Sequence, residues 1–301
     1  MLFGIGKGLQ DMMVSRKSGR AARPGLRVLV VLSYYNAWEP DQLVRLLDQL
    51  SDTPSGYPFE TRIVVNQAQP HRLDLPERHA ATEVLYRENT AYNLGAWDAG
   101  WRAKPVYDVY LFLQEECRIL RADWLLPFLE RLQRPGTGLV GESIAWNVRW
   151  RFYQDYCVRT PHLWSTLSDG RRVDIATFFL DYMQRHGIPH GPKADHLQSL
   201  VLGATRKVLE AVDGFNLGGN WDEAVACEIA FSKKVQALGL KISQVGLLPF
   251  TFIAHPQWSE PDRDKWSLLK TLRKSVRVYL RRHALVNETI EHFMIKSGKH
   301  G

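Results

Sequence analysis

The chain has 301 residues, 45% of them hydrophobic and 11% aromatic, with ten Trp and a net charge of +7. This composition excludes a disordered chain and suffices to bury a core in one large domain or two small ones. The longest purely apolar run, Val28 to Leu32, is far shorter than the ~20 residues that span a bilayer, so the sequence predicts a soluble or peripheral protein. Cys117, Cys157 and Cys227 are odd in number and form no CxxC pair, which suits a reducing compartment. The aromatic content leaves room for a sugar-binding cleft or a partner surface.

Residues 1–26 read as a flexible basic lead-in. Their charge follows a weak apolar stretch and no small-residue cleavage site closes it, so no secretory signal is expected. The run Arg27 to Asn36 has the continuous apolar, β-branched character of a strand buried on both faces. After it, Leu43, Leu46, Leu47 and Leu50 mark one side of a helix. Thr61 to Gln67 and "TEVLYR" predict two further strands, and "ENTAYNLGAWDAGW" a loop whose Trp97 and Trp101 are either core or a sugar platform. "VYLFL" is a strand ending in Gln114, Glu115 and Glu116; a helix at "ADWLLPFLERL" and a segment "GLVGE" follow. From Ser143 to His196 the pattern weakens, apart from a helix around "VDIATFFLDYMQRHG". "HLQSLVLGATRKVLEAVDGF" then gives a strand into a helix, and "EIAFSKKVQALGLKI" a helix stopped by Gly239 and a last strand. Strands alternating with helices predict an α/β domain with an open, mostly parallel sheet over residues 27–260. Ligands of such sheets gather beyond the carboxyl ends of the strands. Residues 261–301 form a basic tail, in which Lys265 to Arg282 has seven Lys and Arg, no acid, and Leu269, Leu272, Val276 and Tyr279 at helical spacing. Such an amphipathic helix either packs on the domain or lies on an anionic membrane surface.

The first strand is followed by neither GxGxxG nor GxxxxGK[ST], which disfavours dinucleotide and P-loop phosphate cradles; GxSxG and HExxH are also absent. Phosphate would then be neutralised by a carboxylate-held metal or by side-chain cations. Taken in order, "VVLSYYNAWEP" with Tyr35, Asn36 and Glu39; Asn66 at the end of the second strand; "NLG" at Asn93 to Gly95 and "DAG" at Asp98; "LFLQEEC"; "VDGFN"; and "ACEIAFSKKVQALGLKI" lie between about Arg27 and His255. On these motifs the chain resembles family 2 glycosyltransferases, which have the GT-A type fold and an Asp-x-Asp where this chain has Gln114 to Glu116.

The resemblance implies a nucleotide-sugar donor bound by Tyr35, Asn36, Glu39, Asn66, Asn93, Gly95, Asp98, Gln114 and Glu115. It implies Glu228 as catalytic base, and a divalent cation (Mg2+ or Mn2+) on Glu116 and His255. Gln114 replaces the first acid of the family's pair, so either metal affinity is expected to be weaker or the leaving group relies partly on cations such as Arg206 or Lys207; Asn66 likewise stands where the family has an acid. The implied reaction is inverting transfer of a hexosyl or deoxyhexosyl group to a glycan or lipid-linked saccharide acceptor. It belongs to cell-surface polysaccharide synthesis in the cytoplasm, peripheral to the inner face of the membrane. A non-catalytic nucleotide-sugar binder of the same fold and a nucleotidyltransferase are the alternatives. The basic residues bunch at the two ends instead of interleaving with aromatics, so nucleic acid is not an expected partner.

Overall fold

The computed structural model describes residues 25–104, 106–160 and 163–256. The expected lead-in up to residue 24 and the basic helix over 265–282 lie outside the described residues. In chain order the elements are β1 (Val28–Tyr35), α1 (Asp41–Asp52), β2 (Glu60–Gln67), β3 (Glu83–Glu88), α2 (Tyr92–Arg102), β4 (Val109–Gln114), β5 (Arg118–Ile119), α3 (Leu126–Leu132), β6 (Thr137–Gly141) and β7 (Ile144–Ala145). They continue with α4 (Trp150–Val158), β8 (Trp164–Thr166), β9 (Arg172–Asp174), α5 (Ile175–Arg185), β10 (His196–Leu197), β11 (Val201–Thr205), α6 (Arg206–Ala211), α7 (Trp221–Ala237), β12 (Lys241–Gln244) and β13 (Ile253–Ala254).

Seven strands form one sheet in the order β12-β6-β11-β4-β1-β2-β3. β1, β2, β3 and β4 pair parallel, as do β6 and β12, whereas β11 runs antiparallel to both β4 and β6. The apolar continuity of β1 follows from burial on both faces. Val28, Val30 and Leu32 join the cluster under α1 and α3 with Leu43, Leu46 and Phe128, while Leu29 and Val31 join the opposite cluster with Trp97, Phe112, Phe179 and Phe231. Each fully buried Leu contributes about 2 kcal/mol relative to exposure.

The expected loop at 88–101 is largely a helix, α2. Gly95 and Gly100 lower its intrinsic propensity, and its entry is made by Ala91 and Tyr92 at φ 56° and 53° with no side-chain cap. Packing on the sheet holds it: a Cβ on Gly100 would lie 2.4 Å from Val31 Cγ1. Trp97 and Trp101 are core, at 0% and 4% exposure. Trp97 donates from Nε1 to the Leu113 carbonyl at 3.1 Å. Among the described residues no helix is long and apolar enough to cross a membrane, and the three cysteines are buried and unpaired.

Glu142, directly after β6, is buried and accepts from the backbone N–H of Thr251 (2.8 Å), Phe252 (3.0 Å) and Ile253 (2.8 Å). It thereby fixes the segment that forms β13 and leads into His255. Burial pushes its carboxyl up from 4.5 to about 7, against the pull of those three N–H groups. The native state therefore holds the proton more tightly than the unfolded chain, and stability falls as pH rises from about 4.5 to about 7. In Glu142→Gln, the loss of urea stability between pH 5 and pH 8 is expected to shrink by about 3 kcal/mol. An unchanged pH dependence would show that Glu142 does not titrate in this range.

Candidate active site

The registers bring four chain segments to one edge of the sheet. Tyr35 pairs with Asn66 and Ser33 with Gln114 at the carboxyl ends of β1, β2 and β4. Because β11 is antiparallel, Val201 at its start pairs with Leu113, so Ser199 and Leu200 arrive at this edge too. The same reversal sends Arg206 to the other edge, where its N–H donates to the Asp108 carbonyl at 3.0 Å. Arg206 and Lys207 therefore cannot serve a ligand at the carboxyl ends, a correction that follows from strand direction alone.

Gln114 is the hub. Its Nε2 donates to the Ser199 carbonyl at 2.9 Å, and Asn93 Nδ2 donates to the same oxygen at 3.0 Å. A carbonyl only accepts, so the amide orientation is fixed and Oε1 faces His255 Nε2 at 3.1 Å. His255 Nε2 also lies 3.0 Å from Glu116 Oε2. Facing two acceptors, that nitrogen carries a proton. The His255 hydrogen bond holds Glu116 below the usual carboxylate range, outweighing its partial burial. Glu115 points the other way and accepts from the Tyr35 N–H at 3.4 Å. Burial, reinforced by the Glu116 charge, pushes it up to about 7.

Ser199 carries the network further. Its hydroxyl makes a short hydrogen bond to Glu228 Oε2 on α7, and His196 Nε2 lies 3.4 Å from Glu228 Oε1. Glu228 is thus joined through one serine to Gln114, and through Gln114 to His255 and Glu116.

Asn36 and Asn66 are buried beside this edge. Asn36 accepts from the Ala68 N–H at 2.6 Å and donates from Nδ2 to the Gln69 carbonyl at 3.0 Å. Asn66 donates to the Tyr92 carbonyl at 3.0 Å and accepts from Arg87 Nη1 at 2.5 Å. Arg87 crosses Gly95 so closely that a Cβ there would lie 2.8 Å from either terminal guanidinium nitrogen and 2.2 Å from the Thr90 carbonyl oxygen. Gly95 is therefore a packing requirement at the entry of α2. Glu39 is exposed beside Trp38, which stands edge-on to Tyr35 at 6.4 Å. Asp98 does not join the others. Its Oδ1 accepts from Trp101 Nε1 (3.0 Å) and the Phe215 N–H (3.1 Å), and its Oδ2 from Arg102 Nε (2.7 Å). It pins α2 to the Asp213–Gly214 turn, a structural role in place of the expected ligand contact.

Ser199, His196 and Arg87 were not singled out from the sequence. Ser199 and His196 precede a strand whose reversed direction nothing in its pattern reveals. Arg87 is the penultimate residue of β3, whose carboxyl end was a legible place to look for a cation.

Glu116 offers a hard oxygen donor and His255 an imidazole nitrogen at one point, with the Gln114 carbonyl oxygen as a neutral third. Among the described residues no three His, Cys, Asp or Glu side chains converge as a metal cage. Glu116, His255 and the Gln114 oxygen are the residues that would hold a divalent cation, which would take its remaining ligands from phosphate oxygens and water.

No family model matches the chain, and no curated protein matches it in sequence. Solved structures do match. The chain is similar to GT-A type glycosyltransferases. A mannosyltransferase from Pyrobaculum calidifontis, solved with GDP-Man and Mn2+, shares 17% identity at a TM-score of 0.48 over 91% of this chain and 72% of its own. GalNAc-T7, solved with UDP, GalNAc and Mn2+, shares 13% at 0.47 over 77% of this chain and 44% of its own. The bifunctional glycosyltransferase WbbM shares 11% at 0.43 over 71% and 38%. The chain spans less than half of the latter two.

Proposed function

We propose that this chain is an inverting glycosyltransferase, moving a hexosyl or deoxyhexosyl group from a nucleoside-diphosphate sugar to a hydroxyl of a glycan or lipid-linked saccharide. The observation that carries this reading is the unbroken path Glu116–His255–Gln114–Ser199–Glu228. It holds a carboxylate suited to take a proton at a fixed offset from a cluster suited to receive a diphosphate.

In this reading Tyr35, Asn36, Glu39 and Asn66 form the nucleotide side, with Arg87 as the cation nearest to it. Asn93, Gln114 and Glu115 meet the donor sugar, and Gly95 shapes the turn beneath it. Glu228 takes the acceptor hydroxyl proton as that oxygen attacks the anomeric carbon from the face opposite the leaving diphosphate, which inverts the centre. A divalent cation on Glu116 and His255 would supply Lewis-acid stabilisation of the departing charge. Tyr92 and Trp221, both exposed and edge-to-face at 5.8 Å, flank the Glu228 side and offer an aromatic wall to an acceptor saccharide. The reading extends to an acceptor displayed at an anionic membrane surface on the cytoplasmic side, reached through residues 265–282, in polysaccharide synthesis.

A thermal-shift screen of common nucleotide-sugars with and without Mn2+ tests the donor assignment. One donor is expected to raise Tm, more so with Mn2+, and Glu116→Ala to remove the Mn2+ increment. Turnover of that donor, with acceptor saccharides free or in anionic vesicles, then tests transfer. Binding without turnover would leave a nucleotide-sugar-binding protein, and no shift with any donor would overturn the reading.

A further inference from the structure

Glu142 is 1% exposed, and a buried carboxylate is costly unless hydrogen bonds compensate. Among the described residues no cation pairs with it. Its partners are three consecutive backbone N–H groups: Thr251 donates to Oε2, and Phe252 and Ile253 donate to Oε1. An apolar side chain would fill the same space at less cost. It would also leave those three donors unsatisfied and the segment that bears them unpinned.

That segment delivers His255. β13 is two residues long, with Ile253 opposite Ile119 and Ala254 opposite Arg118 on β5, and the Leu120 N–H extends the ladder by donating to the Phe252 carbonyl at 2.9 Å. So short an antiparallel pair is marginal by itself. Yet it sets the spacing of the cluster. β5 begins two residues after Glu116 and β13 ends one residue before His255, so a slip of β13 would carry His255 Nε2 away from Glu116 Oε2 (3.0 Å) and Gln114 Oε1 (3.1 Å). Glu142 grips β13 from a third element, the end of β6. Both ends of the turn that leads there are tied at the same place: the Val245 N–H donates to the Gly141 carbonyl at 2.9 Å, and the Phe250 N–H to the Glu142 carbonyl at 3.3 Å. Phe250 is held at φ 53°, a left-handed conformation that persists only where the surroundings impose it.

The geometry points to Glu142 as the positioning residue of the cation site: its side chain fastens residues 251–253 to the sheet and so keeps His255 within reach of a cation held by Glu116. This inference rests on the reading of Glu116 and His255 as cation ligands. Glu142 touches neither cation nor substrate, and acts through the backbone just ahead of His255. Coupling of this kind is reciprocal. A cation that draws Glu116 and His255 together must also tighten the hold on the three N–H groups.

The probe is Mn2+ alone, titrated by electron paramagnetic resonance into the wild-type chain, Glu142→Gln and Phe179→Leu at pH 8, above the Glu142 carboxyl's value of about 7. Gln keeps one acceptor oxygen but turns an N–H toward one of the three donors, which loosens the segment without emptying its place. Glu142→Gln is expected to raise the Mn2+ Kd about 10- to 100-fold. Excess Mn2+ is then expected to restore its thermal stabilisation, a rescue that general instability would not show. Phe179→Leu thins the core on the opposite face of the sheet and is expected to bind Mn2+ as the wild type does. A wild-type Kd in Glu142→Gln would overturn the proposal, as would an equal loss of affinity in both variants. A wild-type chain that binds no Mn2+ would instead remove the cation site itself, and this inference with it. Hydrogen exchange in the wild-type chain needs no variant: saturating Mg2+ is expected to slow exchange of the Thr251, Phe252 and Ile253 amides about 5-fold or more, and unchanged exchange with Mg2+ bound overturns the proposal.

Discussion

Glu228→Gln is expected to lower kcat for sugar transfer at least ~1,000-fold while leaving donor affinity within about twofold of wild type. The substitution is close to isosteric. The Gln oxygen can still accept from the Ser199 hydroxyl, so α7 and the serine link keep their places. Only the capacity to take a proton is removed. Nucleotide release measured with acceptor present, together with calorimetric titration of the donor, separates the two quantities. Transfer within tenfold of wild type would place the base elsewhere. Loss of donor binding would assign Glu228 to the ground-state complex.

Gln114→Asp carries the second large effect. The resembling family has an acid at this position, so charge alone suggests that the substitution would strengthen a metal site. The hydrogen bonding argues the reverse. Gln114 is the only side chain here that both donates to the Ser199 carbonyl and presents an oxygen to His255. Aspartate is one carbon shorter and has no N–H, so it leaves the Ser199 carbonyl short of a donor and aims a negative charge toward it. Loss of about 3 kcal/mol of stability is expected, and a fall of roughly 100-fold in kcat/KM as the Glu228 side drifts from the Glu116 side. Urea denaturation and steady-state kinetics with and without Mn2+ check both numbers. A rise in Mn2+-dependent activity would overturn the structural account of Gln114.

Much of the sheet was legible because its physics is local. Residues 27–36 had to lie in the middle of a sheet, since no amphipathic strand carries so unbroken an apolar run, and the leucines of α1 repeat at helical spacing. The helix α2 was not legible. Its two glycines and its left-handed entry argue against helix, and tertiary contacts hold it, among them the close approach of Gly100 to Val31 and Val64 and the burial of Trp97. The direction of β11 was hidden for a different reason: alternation and composition are the same for a strand read either way. Of the site residues, Gln114, Glu116 and Glu228 lie in one connected network, whereas Glu115 between the first two turns to the Tyr35 N–H. The fate of Asp98 was beyond sequence, because its partners Arg102, Trp101 and Phe215 include a residue more than a hundred positions away.

The reversed strand also has a modular consequence. The chain leaves β6 at Glu142 and re-enters β11 at Ser199, both on the ligand edge. The base of the excursion between them is closed by the β7–β10 ladder and by the Gln198 N–H donating to the Ser143 carbonyl at 3.1 Å. Residues 144–197 are thus a cassette with adjacent ends, plugged in beside Glu228. A chimaera that exchanges this cassette, keeping the residues that pack on α7, would redesign the acceptor side without altering a single strand pairing of the seven-stranded sheet.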